Sequence, residues 1–159
     1  MLVRSFAGAD DDADFADFRC WDGDPENFFA EEAQNFIRGA MLYQPDSYHL
    51  AFREDGELVA VSSFYKRSWP IPPPGPERPA WHLDVLAVAC DRQRAGLSRE
   101  VFEGTFEVMR EADPDRVLVS GFVHRQNLIA YDACTAVGMT MWTPRDDEYV
   151  IVIGEVPPA

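Results

Sequence analysis

The sequence predicts an α/β fold, and three observations carry that prediction. Residues Leu97, Val101, Phe102, Thr105, Phe106 and Met109 recur at the three-and-four spacing of one helix face. Short apolar runs, among them His82-Leu83-Asp84-Val85-Leu86-Ala87-Val88 and Arg116 to Val123, have the length of strands rather than helices. The two kinds of run follow one another as strand, helix, three strands, helix, strand, helix and two strands.

Met1 to Ala7 reads as the first strand. Ala9 to Asp14 is acidic and solvated, and Phe15, Phe18, Cys20 and Trp21 then bring apolar groups back as a short helix or packed loop. Asp24-Pro25-Glu26 predicts a helix start: an aspartate cap, proline at the first helical position and an acid in the first turn. The helix runs to about Tyr43 on a stripe of Phe29, Ala33, Phe36, Ile37, Ala40 and Met41. Gln44-Pro45-Asp46 breaks it. Ser47 to Arg53 and Glu57 to Lys66 are two strands, with Glu54-Asp55-Gly56 supplying hairpin chemistry between them. Six prolines between Trp69 and Pro79 forbid a central strand or helix there. They predict a stiff exposed loop, either lining a substrate entrance or acting as a plain connector. The strand through Val88, the helix from Leu97 and the strand from Arg116 follow. Gln126 to Val137 reads as a helix stopped by Gly138, and Met139 to Trp142 and Glu148 to Glu155 close the chain as strands.

At 159 residues with 47% apolar content the chain suits a single globular domain over residues 1–159. No secretory signal and no run long enough to span a bilayer is read at this stage, so no membrane partner is expected. Three cysteines, Cys20, Cys90 and Cys134, lack metal-ligand spacing and read as reduced thiols of a cytoplasmic protein, with no metal expected. Twenty-eight acids against fourteen bases give a net charge of −14. Such a surface repels phosphate backbones, so no nucleic-acid partner is expected, while cations, amines included, are attracted.

The junction Gln93-Arg94-Ala95-Gly96-Leu97-Ser98 joins a predicted strand to a predicted helix. A turn of this kind points free backbone N–H groups at one place, where the helix dipole also favours an anion. It resembles the acyl-CoA pyrophosphate loop of the GNAT acyltransferase superfamily, which reads Gln or Arg, two residues, Gly, one residue, then Gly or Ala. Ser98 departs from the pattern but is small, and its hydroxyl can cap the helix or bond a phosphate oxygen. Downstream, His124-Arg125-Gln126-Asn127-Leu128-Ile129-Ala130-Tyr131-Asp132-Ala133-Cys134 and Gly138-Met139 are similar to a second GNAT signature. Asn127, Ala130 and Gly138 match it, and Cys134 stands where the family usually has tyrosine. The resemblance covers roughly residues 25 to 155. It implies a GNAT fold: a mixed, mostly antiparallel sheet, helices on both faces, and parallel fourth and fifth strands splayed to admit the pantetheine arm. By the same resemblance the backbone of Leu86, Ala87 and Val88 pairs with that arm like an added strand, and Asn127 bonds the cofactor or a water beside it.

The implied reaction is N-acyl transfer, with acetyl-CoA as donor and a small-molecule or protein amine as acceptor, in a monomer or homodimer. An alkylammonium, with a pKa of about 10.4, must lose a proton before it attacks. His82 lies eleven residues before Gln93, where the histone-acetylating branch keeps a catalytic glutamate. Its imidazole suits base work near neutrality. Asp84, two positions on, shares its strand face and can orient His82, act through a water, or bind a substrate cation. Cys134 and Tyr131, one turn apart, are the candidates to protonate the departing thiolate. A non-catalytic acyl-CoA sensor is the alternative. A toxin-like member acetylating charged tRNA is a third reading, on the likeness of Phe18-Arg19-Cys20 to that branch. The net charge and the single lysine, Lys66, argue against it.

Overall fold

Alternating apolar runs and the turn residues between them resolve into seven strands and four α-helices among the described residues of the computed structural model, which are 1–70, 75–93 and 95–159. In chain order these are β1 (Leu2–Phe6), α1 (Asp12–Ala16), α2 (Phe28–Gly39), β2 (Ser47–Glu54), β3 (Glu57–Pro70), β4 (Glu77–Val88), α3 (Leu97–Ala112), β5 (Leu118–His124), α4 (Leu128–Ala136), β6 (Thr140–Pro144) and β7 (Tyr149–Glu155). The strands form one sheet in the order β1-β2-β3-β4-β5-β7-β6. Residue contacts divide the chain into two compact units, Met1–Ser63 with Val85–Val101, and Phe64–Asp84 with Phe102–Ala159. No helix among the described residues is long and apolar enough to cross a membrane.

In the first unit β1 and β2 pair antiparallel from Leu2↔Glu54 to Phe6↔Leu50. The turn after β2 has Asp55 at φ 52° and Gly56 at φ 83°. These are the two left-handed positions that a tight hairpin between right-twisted strands requires. Phe15, Phe18, Ile37, Met41, Ala51, Val61, Ala87 and Ala89 form the buried core against which α1 and α2 pack. The expected helix start at Asp24 is not observed. Asp24 Oδ1 instead accepts the Glu26 N–H at 2.9 Å, and the Asn27 N–H bonds the Asp24 carbonyl, so these residues make a turn and α2 begins at Phe28. Asp and Pro serve a turn as well as a cap, which is why the sequence pattern admits both.

In the second unit β4 and β5 run parallel with the register Ala80↔Leu118 to Leu83↔Gly121, and β7 pairs antiparallel with β5 along its whole length. The proline-rich stretch is shorter than expected. Trp69 and Pro70 end β3, and Glu77, Arg78 and Pro79 open β4; residues 71–74 lie outside the described set. Proline is tolerated there because Pro79 precedes the first parallel pair, at Ala80. Helix α4 ends in two nested bonds, Gly138 N–H to Thr135 O and Met139 N–H to Cys134 O. This pattern closes a helix with a left-handed residue, and Gly138 has φ 90°.

That closure brings the Gly138 carbonyl against β7. A Cβ added at Gly154 would lie 2.5 Å from the Gly138 oxygen and 3.0 Å from its carbon, both backbone atoms. Gly154→Ala is therefore expected to cost about 1–3 kcal/mol, the range of an overpacked core site. At Gly121 the nearest atom would be 3.7 Å away, so Gly121→Ala is expected to cost clearly less. Denaturant unfolding of the two variants checks the difference.

Candidate functional site

The loop resembling a pyrophosphate cradle lies in the first unit. After β4 a short 3-10 turn, Cys90–Arg92, leads into the loop, and α3 begins at Leu97. Gly96 has φ 75°, and a Cβ there would meet nothing within 4 Å. The chain therefore turns into α3 through a conformation that favours glycine, with open space before a sixteen-residue helix. Leu86, Ala87 and Val88 form the end of β4, with Ala87 and Val88 buried. Gln93 is committed to the protein: its Nε2 donates to the carbonyls of Val88 at 3.0 Å and Cys20 at 2.9 Å. Its side chain thus pins the loop rather than facing a ligand. Ala95 is exposed and Ser98 half-buried in the first turn of α3; Arg94 lies outside the described residues. The same unit holds a cleft of about 680 Å³, lined among others by Asp14, Asp17, Glu57 and Asp91. Arg19 also lines it, and Asp14 and Glu57 are paired with Arg53 and Arg92.

The candidate acid–base residues lie in the second unit. His82 is only 2% exposed, whereas Asp84 is exposed further along the same strand. Aromatic rings surround the imidazole: Phe122 at 4.4 Å between centroids, Tyr65 at 5.2 Å and Trp69 at 6.2 Å. Its Nδ1 lies 3.0 Å from Ser120 Oγ. That hydroxyl accepts the Trp69 indole N–H at 2.7 Å and donates to the Trp81 carbonyl at 3.2 Å. A hydroxyl has one proton and two lone pairs. With the proton given to Trp81 O and one lone pair taken by Trp69, only a lone pair remains for His82. The network thus assigns the proton to Nδ1 and leaves Nε2 as the bare acceptor.

Burial holds the imidazole down at about pKa 4, with the Arg67 and Arg145 guanidiniums adding to the effect. The Arg67 guanidinium lies 4.0 Å from the Trp69 ring centroid and 5.6 Å from that of Phe122; the Arg145 guanidinium lies 4.3 Å from that of Phe122. The immediate surroundings of His82 are therefore cationic within a chain of net charge −14. Sequence reasoning did not reach Ser120, Trp69, Phe122, Arg67 or Arg145. The only local signal was a serine inside the valine-rich β5, since the partners come from distant strands.

Helix α4 carries the remaining candidates. Asn127 Oδ1 accepts the Ala130 N–H at 3.1 Å and caps the helix. Cys134 is buried, and burial pushes its thiol up to about 11, so it keeps its proton at neutral pH. Tyr131 is half-buried one turn earlier. His124 Nδ1 accepts the Gln126 N–H at 3.1 Å at the entry to this helix. Among the described residues no group of three or more His, Cys, Asp or Glu is placed to hold a metal ion.

The depressed His82 pKa links stability to pH. Between about pH 6.5 and pH 4 the unfolded chain takes up the imidazole proton while the folded chain resists it. The contribution is fully present above pH 6.5 and is lost as pH falls, by about 3 kcal/mol at 1.36 kcal/mol per pKa unit. Denaturant unfolding from pH 7 to pH 4 is expected to show a steeper loss in the wild type than in His82→Phe. Equal losses would mean that the ring protonates as easily as in the unfolded chain.

A family model described as the acetyltransferase (GNAT) family matches residues 3–139. No curated protein matches the sequence. Among solved structures, the ribosomal-protein-S18-alanine N-acetyltransferase from Escherichia coli superposes with a TM-score of 0.65 at 16% identity, covering 100% of this chain and 96% of that one. AtaT complexed with acetyl-methionyl-tRNAfMet gives 0.72 at 13%, covering 95% and 94%. AtaTR bound with AcCoA gives 0.72 at 12%, covering 98% and 93%. At these identities the likeness is one of fold. The expectation that nucleic acid is excluded finds no support among these structures. With the family model spanning most of its length and a seven-stranded sheet whose β4 and β5 run parallel, the chain belongs to the acetyltransferase (GNAT) family.

Proposed function

We propose that the protein is an N-acetyltransferase that takes its acetyl group from acetyl-CoA and passes it directly to an amine. The observation that carries the reading is the β4–loop–α3 junction, with its left-handed Gly96 and open approach to the helix start. These residues fit a pyrophosphate: among the described residues nothing lies within 4 Å of a Cβ at Gly96, and the loop opens onto the start of α3, where the helix dipole favours an anion. The backbone of Ala95, Gly96, Leu97 and Ser98 would hold the phosphates, with Arg94 beside them by sequence, and that of Leu86, Ala87 and Val88 the pantetheine. When bound, acetyl-CoA supplies an activated thioester. Gln93 contributes by fixing the loop to Val88 and Cys20, and Asn127 by starting α4. The three free cysteines suit a reducing, cytoplasmic setting.

His82 presents Nε2 as its proton acceptor, but a weak one. An alkylammonium near 10.4 lies about six pKa units above it, about 9 kcal/mol uphill. His82 therefore does not strip an arriving ammonium. The amine enters already neutral, having shed its proton to solvent. His82 then takes a proton only from a nitrogen made acidic by its attack on the acyl carbon. Tyr131 is left as the candidate donor to the leaving sulfur, because the Cys134 thiol is buried, held near 11, and acts as a packing residue. These weak titrating groups also favour a second reading, a module that binds acyl-CoA without catalysis.

Two measurements test the reading. Gly96→Glu is expected to abolish acetyl-CoA binding by calorimetry, because its side chain and charge fill the phosphate's place. Unchanged affinity would sink the loop assignment. His82→Ala is expected to lower kcat by on the order of 10²–10⁴-fold with a much smaller change in acetyl-CoA affinity. The acid limb of the wild-type kcat profile is expected near pH 4, not 6.5. Acetyl-CoA binding with no transfer to any amine would establish the second reading instead.

A further inference from the structure

Arg67, on β3, and Arg145, just after β6, are not explained by the fold. Both guanidiniums lie on the Phe122 ring, at 5.6 Å and 4.3 Å from its centroid, and Phe122 is the ring nearest His82. Arg67 also stacks on Trp69 at 4.0 Å, and Arg145 reaches Tyr149 at 5.8 Å. Among the described residues neither guanidinium has a carboxylate within salt-bridge distance. The other arginines of this unit that show side-chain contacts are spent differently. Arg110 donates to the Pro157 carbonyl, Arg116 bonds Asp113 and the Ala80 carbonyl, and Arg125 donates to the Asp146 carbonyl. Asp146 is next in sequence to Arg145; its carboxylate accepts the N–H groups of Tyr149 and Glu148, both at 2.8 Å, and these bonds, with the charges of Arg145 and Arg125 adding to them, hold its carboxyl below the ordinary range. In a chain with twice as many acids as bases, two guanidiniums that share one aromatic ring and make no carboxylate salt bridge among the described residues stand out. A guanidinium held over an aromatic face can still donate through the N–H groups at its edge.

We propose that Arg67 and Arg145 form the acceptor subsite, holding a single compact anion, a carboxylate or a phosphate monoester, carried by the amine that is acetylated. The inference rests on the acetyltransferase reading and deepens it by naming the acceptor class. A guanidinium fork matches either anion through paired N–H bonds. The same two charges disfavour an ammonium beside them, so they bring in the amine by its anionic end while favouring the neutral nitrogen that attacks. This reverses the expectation drawn from net charge alone. The acceptor is accordingly an amine that carries one compact anionic group.

The test uses matched amines with acetyl-CoA: β-alanine against β-alaninamide, and phosphoethanolamine against ethanolamine. The wild type is expected to prefer the anionic member of at least one pair in kcat/KM, and which pair responds distinguishes carboxylate from phosphate. Arg67→Gln and Arg145→Gln are each expected to shrink that preference by on the order of 10- to 100-fold, chiefly through KM, as for loss of a charge-assisted hydrogen bond. Arg67→Lys, which keeps the charge but not the fork, is expected to fall between. Binding of the preferred anion without acetyl-CoA, followed by tryptophan emission beside Arg67, is expected to weaken in both Gln variants and with rising salt. A preference for the neutral members, no transfer to either anionic member, or an unaltered preference in folded Gln variants would overturn the proposal. Calorimetry with acetyl-CoA on the same protein separates the two failures. Absent binding defeats the acetyltransferase reading itself, whereas intact binding with no anionic preference defeats only the acceptor assignment.

Discussion

The Ser120 hydroxyl sits where three groups from two strands need its one proton and two lone pairs. It satisfies the Trp69 indole, the Trp81 carbonyl and His82 Nδ1 together. All three bonds depend on the parallel register that sets His82 opposite Ser120. A slip of one residue would present Val119 or Gly121 instead, and would leave the indole N–H and the imidazole without this partner in a buried setting. Each orphaned group costs about 1–3 kcal/mol. The orientation of the imidazole, its tautomer and the alignment of β4 with β5 thus follow from one small polar side chain in an otherwise apolar strand.

Net charge and local field disagree in sign here, and distance decides between them. Charges spread over an exposed surface are screened within about 8–10 Å at ordinary salt. Arg67 is half-buried and Arg145 exposed, but both act at short range on a ring that is 2% exposed. The acids govern what approaches the molecule from afar. Burial first, and the two arginines after it, hold the His82 imidazole neutral.

The elements themselves were legible in the sequence. Helix α3 and strands β2, β5 and β7 appear close to where periodicity places them, because their burial follows a simple repeat. The Gly138 stop was legible for the same kind of reason, since it depends on adjacent residues. What was lost depended on competition or on distance. Asp24 had a turn and a helix cap open to it, and the turn won. The Gln93 amide donates to the Cys20 carbonyl, far away in sequence, a contact no local pattern announces. The environment of His82 combines residues from β3, β5 and the segment after β6, and no local window contains them.

The Gln93 amide has a further consequence, because it binds the loop to two places at once. With the Cys90 N–H donating to the Arg19 carbonyl at 2.9 Å, the loop and the segment around Arg19 to Trp21 are cross-tied. Gln34 Oε1 accepts from Cys20 and Trp21 in turn, extending the tie to α2. The loop, the Arg19 to Trp21 segment and α2 are therefore held as one hydrogen-bonded unit, so a substitution that breaks the tie at Gln34 reaches the loop without touching it.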